Sequence, residues 1–105
     1  MIELNQENLC EFISQSKEPV LLEFGAEWCQ PCKRLDPELV KLAEKWVGKI
    51  QFGYINVDHS PDIAAQYMVM GVPTLILIKD GEAVERITGF RPVQSLIEIF
   101  GGFVN

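Results

Sequence analysis

Apolar and polar residues alternate along the chain in segments typical of strands and of helices. The run from Val20 to Phe24 is nearly all apolar, as in a strand that is covered on both faces. From Pro31 to about Val47, apolar residues recur every three or four positions, which predicts an amphipathic helix. A second β-rich run covers positions 50–57. Such a strand–helix–strand unit nearly always crosses over right-handed to a parallel neighbour.

Shorter elements are predicted before and after this unit. Helices are expected at positions 5–17 with Asn5 as the cap, at 60–67 with Ser60 as the cap, and from Pro92 onward. Two β-rich runs, at 74–79 and 83–87, flank Asp80-Gly81 and predict an antiparallel hairpin. The expected fold is therefore α/β, with a central mixed sheet of about five strands, about four flanking helices, and a hairpin followed by a C-terminal helix.

Length, composition and charge narrow the class of protein. A chain of 105 residues that is 48% hydrophobic and 23% charged predicts one packed domain over 1–105. The net charge of -6 argues against nucleic acid or an anionic membrane surface as a partner, since both attract clustered Lys and Arg. The first residues lack the basic and apolar segments of a secretion signal. We therefore expect a cytoplasmic protein, and we also expect a monomer.

Three cysteines are present, and the spacing of two of them points to chemistry. Cys29 and Cys32 stand where the buried strand gives way to the helix, so their sulfurs can form and break a disulfide with little rearrangement. Cys29 faces the unpaired N–H groups and the positive dipole end of the helix, both of which favour a thiolate. We expect Cys29 to be the attacking sulfur. Cys32 is expected to be more buried and to resolve the mixed disulfide.

The segment 24–33, FGAEWCQPCK, resembles the active-site segment of the thioredoxin family. Pro37, the segments NVD at 56–58, GVPT at 71–74 and KDG at 79–81, and Gly89 follow in the family's order and approximate spacing. The resemblance therefore covers nearly the whole chain. It implies the thioredoxin fold.

By this resemblance, the Val72–Pro73 bond is cis, and residues around the cysteines form a shallow apolar patch that holds disulfide-containing proteins. The alternative is a trans proline at the entry of a strand. The residues implied in substrate binding are Trp28, Gln30, Pro31, Gly71, Val72, Pro73 and Gly89.

The resemblance also gives Glu23 the place of a buried aspartate that moves a proton to or from the second cysteine, so Glu23 joins Cys29 and Cys32 as a catalytic residue. Burial would raise the pKa of this carboxyl. The alternative is a solvated glutamate at a strand edge.

Three other positions depart from the family's pattern. Tyr54 stands where a lysine near the buried acid is frequent, so no cation is evident there. Gly25 replaces a frequent tryptophan, and we expect looser packing beside the active site. Gln30 replaces the usual glycine between the cysteines, where residues tune the reduction potential.

The function implied by the resemblance is that of a protein disulfide reductase, a thiol–disulfide oxidoreductase that carries electrons through its own Cys29–Cys32 disulfide. No other cofactor and no metal is expected. The expected partners are disulfide-containing protein substrates and a thioredoxin-reductase-like electron donor. Two alternatives stay open: a more oxidising disulfide oxidase or isomerase of the same fold, and a non-catalytic protein-binding module.

The remaining candidates for chemistry are expected to be structural. Cys10 lies beside core positions of the first helix and is expected to pack as a small buried hydrophobe. His59 is expected to be a solvated loop residue and not a zinc ligand. Met68 and Met70 either pack in the core or widen the apolar patch, and the sequence does not decide between these roles.

Overall fold

The computed structural model describes residues 1–104 and folds them into five strands and four α-helices around one sheet. The strands are β1 (Ile2–Glu3), β2 (Val20–Gly25), β3 (Gln51–Asn56), β4 (Thr74–Lys79) and β5 (Glu82–Thr88). The helices are α1 (Leu9–Gln15), α2 (Gln30–Lys45), α3 (Pro61–Gln66) and α4 (Val93–Phe100), and a short 3-10 turn, Gly101–Phe103, follows α4.

The sheet is mixed, with the strand order β1-β3-β2-β4-β5. β3 runs parallel to both β1 and β2, whereas β4 is antiparallel to β2 and to β5. The central strand β2 is buried over all six of its residues, which explains its nearly continuous apolar sequence. The predicted α/β fold with a mixed sheet, a hairpin and a C-terminal helix is confirmed.

Two apolar cores lie on opposite faces of the sheet, because successive side chains of a strand point to opposite faces. Leu21 belongs to the core that also contains the inner faces of α2 and α4, including Leu39 and Phe100. Leu22 and Phe24 belong to the other core, with residues of α1 and α3. The alternation along β2 places Glu23 on the same face as Leu21, under α2.

The hairpin between β4 and β5 has the geometry that its sequence predicts. Asp80 has a φ of 53° and Gly81 a φ of 81°, so both residues of the tight turn are left-handed. Such turns favour Asp-Gly because glycine adopts a positive φ without strain and aspartate tolerates it.

The edges of the fold differ most from the sequence-based expectations. β1 pairs Ile2 with Gly53 and is only two residues long, too short for any periodic pattern to reveal it. α1 begins at Leu9, and Asn5 is not its cap, because the Asn5 side chain accepts the N–H groups of Glu7 and Asn8 in a preceding turn. Ser60 precedes α3 as predicted, but its side chain makes no capping hydrogen bond.

Candidate active site

The two cysteines lie at the start of α2, just beyond the end of β2. Cys29 occupies the N-cap position, and its Sγ accepts a hydrogen bond from the backbone N–H of Cys32 at 3.2 Å. The two residues are joined by a disulfide, with 5.3 Å between their Cα atoms. An N–H donor and the positive end of a sixteen-residue helix both stabilise negative charge on the Cys29 sulfur once the disulfide opens.

The expectation that Cys32 would be the more buried of the pair is wrong for this disulfide state. Cys29 is 3% exposed and Cys32 is 5% exposed. Both cysteines are buried because they form one small apolar cluster with Ala26, against which Val57 and Val72 pack. A substrate therefore has to make close contact with this cluster to reach either sulfur.

An apolar surface surrounds the disulfide on the side of Trp28 and Val72. The Val72–Pro73 peptide bond is cis, as predicted. Trp28 is 66% exposed, and its indole N–H donates to the Asp58 carboxylate at 2.8 Å, which holds the ring in place. A shallow pocket is lined by Trp28, Val57, Val69, Met70, Gly71 and Val72.

The sequence left open whether Met68 and Met70 pack in the core or widen the apolar patch, and the structure decides this question. Met70 is 98% exposed and lines the pocket, so it widens the apolar surface and does not belong to the core. Met68 is also exposed, with a left-handed φ of 55°. Its carbonyl accepts a hydrogen bond from Arg86 at 3.3 Å, which ties this loop to β5.

The other residues expected to bind substrate lie around the same surface without all lining the pocket. Gln30 and Pro31 are exposed in the first turn of α2. Pro73 is buried, and its carbonyl accepts the N–H of Gly89 at 2.8 Å, so Gly89 is held to this region through the backbone. The Gly71 carbonyl accepts the Thr74 hydroxyl at 2.6 Å.

Glu23 is buried, and the alternative of a solvated strand-edge residue is thereby excluded. The residue is 2% exposed, and its Oε2 has no hydrogen-bond partner among the described residues. Burial is the main cause that raises the pKa of the carboxyl from 4.5 to about 8, and the neighbouring Asp36 carboxylate adds to it. Glu23 and Cys32 both line one cavity of about 680 Å³, together with Asp36 and Tyr54.

Asp36 is a neighbour of Glu23 that the sequence-based reasoning missed. It stands four residues after Cys32 in α2, and residues four apart share one face of a helix. That spacing was the available signal, because the face that carries Cys32 toward the buried acid must carry Asp36 too.

The expectation that Gly25 loosens the packing is wrong. A Cβ at this residue would stand 3.1 Å from Cε1 of Tyr54 and 3.3 Å from the Cys32 sulfur. The Tyr54 ring fills the space instead. Burial, followed by the charge of Glu23, raises the pKa of Tyr54 to about 12, so its hydroxyl stays protonated at neutral pH.

Cys10 and His59 lie outside this site. Cys10 is exposed, contrary to expectation, because α1 turns Leu9, Phe12 and Ile13 toward the sheet and not Cys10. His59 is exposed as expected, and its Nδ1 lies 2.8 Å from the Glu3 carboxylate, which raises the pKa of the imidazole. Within residues 1–104, no group of three or more metal-binding side chains is found, and none of the helices there combines the length and the apolar character of a membrane span.

A disulfide at the start of a helix, above a mixed sheet and beside a buried carboxyl, defines a thiol–disulfide oxidoreductase. The profile of the family described as Thioredoxin matches residues 1–100. A thioredoxin of Staphylococcus epidermidis is 46% identical over 79 residues, which is 75% of this chain and 76% of the relative, and one of Staphylococcus aureus is 44% identical over the same lengths.

A solved structure gives the same picture. Chloroplastic thioredoxin z, whose structure is described as defining a novel type-specific target recognition, superimposes with a TM-score of 0.88 at 30% identity, covering 98% of this chain and 93% of that one. The chain belongs to the thioredoxin family. Its close cysteine pair carries out dithiol–disulfide exchange, and the protein is a protein disulfide reductase.

Proposed function

We propose that Cys29 is the attacking thiolate and Cys32 the resolving thiol in the reduction of protein disulfides. The observation that carries this assignment is the hydrogen bond from the Cys32 N–H to the Cys29 sulfur at 3.2 Å, at the N-cap of α2. Negative charge on Cys29 is stabilised there by the donor and by the helix dipole, whereas Cys32 lies inside the first turn. A sulfur that ionises readily attacks first.

The reaction then needs a base for the second thiol, and we assign that role to Glu23. The Cys29 thiolate attacks one sulfur of the substrate disulfide, forms the mixed disulfide and releases the other substrate sulfur as a thiolate that takes a proton from water. The Cys32 thiol gives its proton to ionised Glu23 and attacks the Cys29 sulfur. The Cys29–Cys32 disulfide forms, and the second substrate sulfur leaves and is protonated.

A pKa of about 8 suits this role, because the carboxyl is partly ionised near neutral pH and can both accept and return a proton. Glu23 and Cys32 also line the same cavity. The carboxyl is itself buried, so the proton passes between two buried side chains.

Substrates are proposed to bind across the apolar surface beside the disulfide. Trp28, Gly71 and Val72 form its floor and Met70 extends it, so an apolar segment next to the substrate disulfide has a complementary surface. Pro73 and Gly89 support this surface through their backbone hydrogen bond. Gln30 and Pro31 are exposed at its edge, where they meet the substrate or the electron donor.

The electron donor, the redox centre, the compartment and the oligomeric state are part of the same proposal. The electron donor is a thioredoxin-reductase-like enzyme that reduces the Cys29–Cys32 disulfide. The disulfide itself is the only redox centre required, and no metal or organic cofactor takes part. The protein acts in the cytoplasm as a monomer with 1–105 as one domain, and neither nucleic acid nor membrane is a partner, in keeping with its net charge of -6.

An insulin-reduction assay tests the roles of the two cysteines. Wild type is expected to reduce insulin with dithiothreitol as the electron source, and Cys29→Ser is expected to abolish this activity. Reduced Cys32→Ser, freed of dithiothreitol before insulin is added, is expected to stop after the first attack and to accumulate a mixed disulfide between Cys29 and insulin, visible by mass spectrometry. Cys10→Ser serves as the matched control, because Cys10 is exposed and belongs to α1, which packs on the opposite face of the sheet from α2.

Accumulation of the mixed disulfide by Cys29→Ser instead would reverse the assignment. Equal activity in wild type and Cys29→Ser, or none in both, would favour a binding module over a reductase.

A further inference from the structure

The space beside Gly25 brings Tyr54 close to the Cys32 sulfur. An ideal Cβ on Gly25 would lie 3.4 Å from the Tyr54 hydroxyl oxygen and 3.3 Å from the Cys32 sulfur. The hydroxyl and the sulfur therefore both lie next to the position that a Cβ on residue 25 would occupy. The distances of 3.1 Å to Cε1 of Tyr54 and 3.3 Å to the Cys32 sulfur are tighter than an ordinary van der Waals contact, so a side chain at residue 25 would push the ring or the sulfur by a few tenths of an ångström.

The register of the sheet explains why these groups meet. Glu23 of β2 pairs with Tyr54 of β3, and directly paired residues point to the same face. Gly25 lies two residues after Glu23 and shares that face. α2 covers it and brings in Cys32, and the resulting cavity is lined by Glu23, Cys32 and Tyr54.

We propose that Tyr54 is a further functional residue of the redox site, whose hydroxyl donates a hydrogen bond to the Cys32 sulfur when that sulfur is a thiolate. This role rests on the proposed function, in which Cys32 alternates between disulfide, thiol and thiolate. Tyr54 supplies an uncharged donor, since its hydroxyl keeps its proton at neutral pH. Hydrogen bonds to an ionised acceptor are about twice as strong as neutral ones.

The step at which the hydrogen bond acts can be written in full. A thiolate of the dithiol electron donor attacks Cys29, a new disulfide forms between donor and Cys29, and the Cys29–Cys32 bond breaks. The electron pair of that bond passes to Cys32, which becomes a thiolate beside the Tyr54 hydroxyl. Protonated Glu23 then gives its proton to Cys32 and is left as a carboxylate. When the protein reduces a substrate, Tyr54 stabilises the Cys32 thiolate before this thiolate attacks the Cys29 sulfur of the mixed disulfide.

Other charged groups around the cavity also act on the Cys32 thiolate, whose stabilisation by Tyr54 is to be measured. The amino terminus at Met1 and the side chains of Glu27, Lys33 and Asp36 border the same space as Glu23 and Cys32. Glu3 lies close enough to act on Tyr54 electrostatically. None of these groups is altered by replacing tyrosine with phenylalanine, so that change isolates the hydroxyl.

The test is a titration of the Cys32 thiolate by its ultraviolet absorbance in the full chain carrying Cys29→Ser and Cys10→Ser, which leaves one thiol. Adding Tyr54→Phe is expected to raise the midpoint by about one pH unit, a tenfold decrease in the ionisation constant. Tyr67→Phe is the matched control, because Tyr67 is also partly buried but packs against Phe24 in the other core. Its midpoint is expected to equal that of the parent.

Gly25→Ala provides a second, independent variant. Its methyl group must displace the tyrosine or the sulfur, so it is expected to raise the midpoint in the presence of Tyr54 and to add nothing when combined with Tyr54→Phe. If Tyr54→Phe fails to fold, Gly25→Ala alone decides.

An unchanged or lowered midpoint in Tyr54→Phe, equal changes in Tyr54→Phe and Tyr67→Phe, or an unchanged midpoint in Gly25→Ala would each overturn the proposal. Any of these results would leave the proposed function standing, because that function is tested separately by insulin reduction with wild type, Cys29→Ser and Cys32→Ser.

Discussion

Replacing Glu23 with glutamine is expected to remove a large pH dependence from the stability of the oxidised protein. The Glu23 carboxyl is 2% exposed, and its pKa is raised from 4.5 to about 8, mainly by burial. A carboxyl with a raised pKa in the folded state favours folding below pH 4.5, and this advantage is lost as the pH rises toward 8. Above pH 8 the folded protein bears the full cost of a buried carboxylate.

The size of the effect follows from the two pKa values. Each pH unit between them represents about 1.4 kcal/mol. The ionisable carboxyl therefore costs the fold about 5 kcal/mol at pH 9, about 3 kcal/mol at pH 7 and less than about 1 kcal/mol at pH 5, relative to a group that cannot ionise. A cost of this size is a substantial part of the stability of a small domain, which is typically about 5–15 kcal/mol.

Urea denaturation of oxidised wild type and Glu23→Gln from pH 5 to pH 9 measures this cost. The difference in the free energy of unfolding between the two proteins is expected to grow with pH in favour of Glu23→Gln, and then to level off above pH 8. The difference between the two proteins removes the pH-dependent contributions of groups that both contain, such as His59 and Glu38, whose pKa values are also shifted. A difference that stays constant from pH 5 to pH 9 would refute the raised pKa and, with it, the proton-transfer role of Glu23.

Further predictions concern the core, the apolar surface and a helix cap. Phe100→Ala leaves a cavity in the core between α4 and α2, where Phe100 is fully buried. It should lower the free energy of unfolding, measured by urea denaturation, by about 3–5 kcal/mol. A loss below about 1 kcal/mol would contradict this packing. Trp28→Ala should leave the free energy of unfolding almost unchanged, because the residue is 66% exposed. It should raise KM for insulin several-fold without affecting the reduction of a small disulfide. Equal effects on both substrates would count against the binding surface. Glu38→Ala removes the carboxylate that accepts the Val93 N–H at 2.9 Å, the main cause of the lowered pKa of Glu38. The resulting small loss of stability should be present at pH 7 and fade as the pH falls through that lowered pKa, and a loss that persists at low pH would show that the carboxylate charge is not involved.

The central elements were predictable because their sequences are dictated by what covers them. β2 is buried on both faces and is therefore nearly all apolar, and α2 buries one face and repeats every three or four residues. The hairpin was predictable for a different reason, since Asp80-Gly81 is suited to two consecutive left-handed residues. β1 was not predictable, because a two-residue strand is defined by its partner Gly53 and not by its own pattern.

The site was predictable in its reacting atoms but not in its surroundings. The spacing of Cys29 and Cys32 at a strand–helix junction indicates the disulfide by itself. The roles of Tyr54 and Gly25 depend on strand register, which brings together residues far apart in sequence. Cys10 was wrongly expected to be buried, because neighbouring apolar positions in a short helix do not fix which side faces the sheet.

Alkylation of the reduced protein by iodoacetamide as a function of pH, with each cysteine followed by peptide mass spectrometry, tests the account most directly. Cys29 is predicted to react first, with a midpoint at about pH 7 or below, because the Cys32 N–H and the start of α2 stabilise its thiolate. Faster reaction of Cys32, or a Cys29 midpoint near the value of about 8.5 for an ordinary thiol, would contradict it.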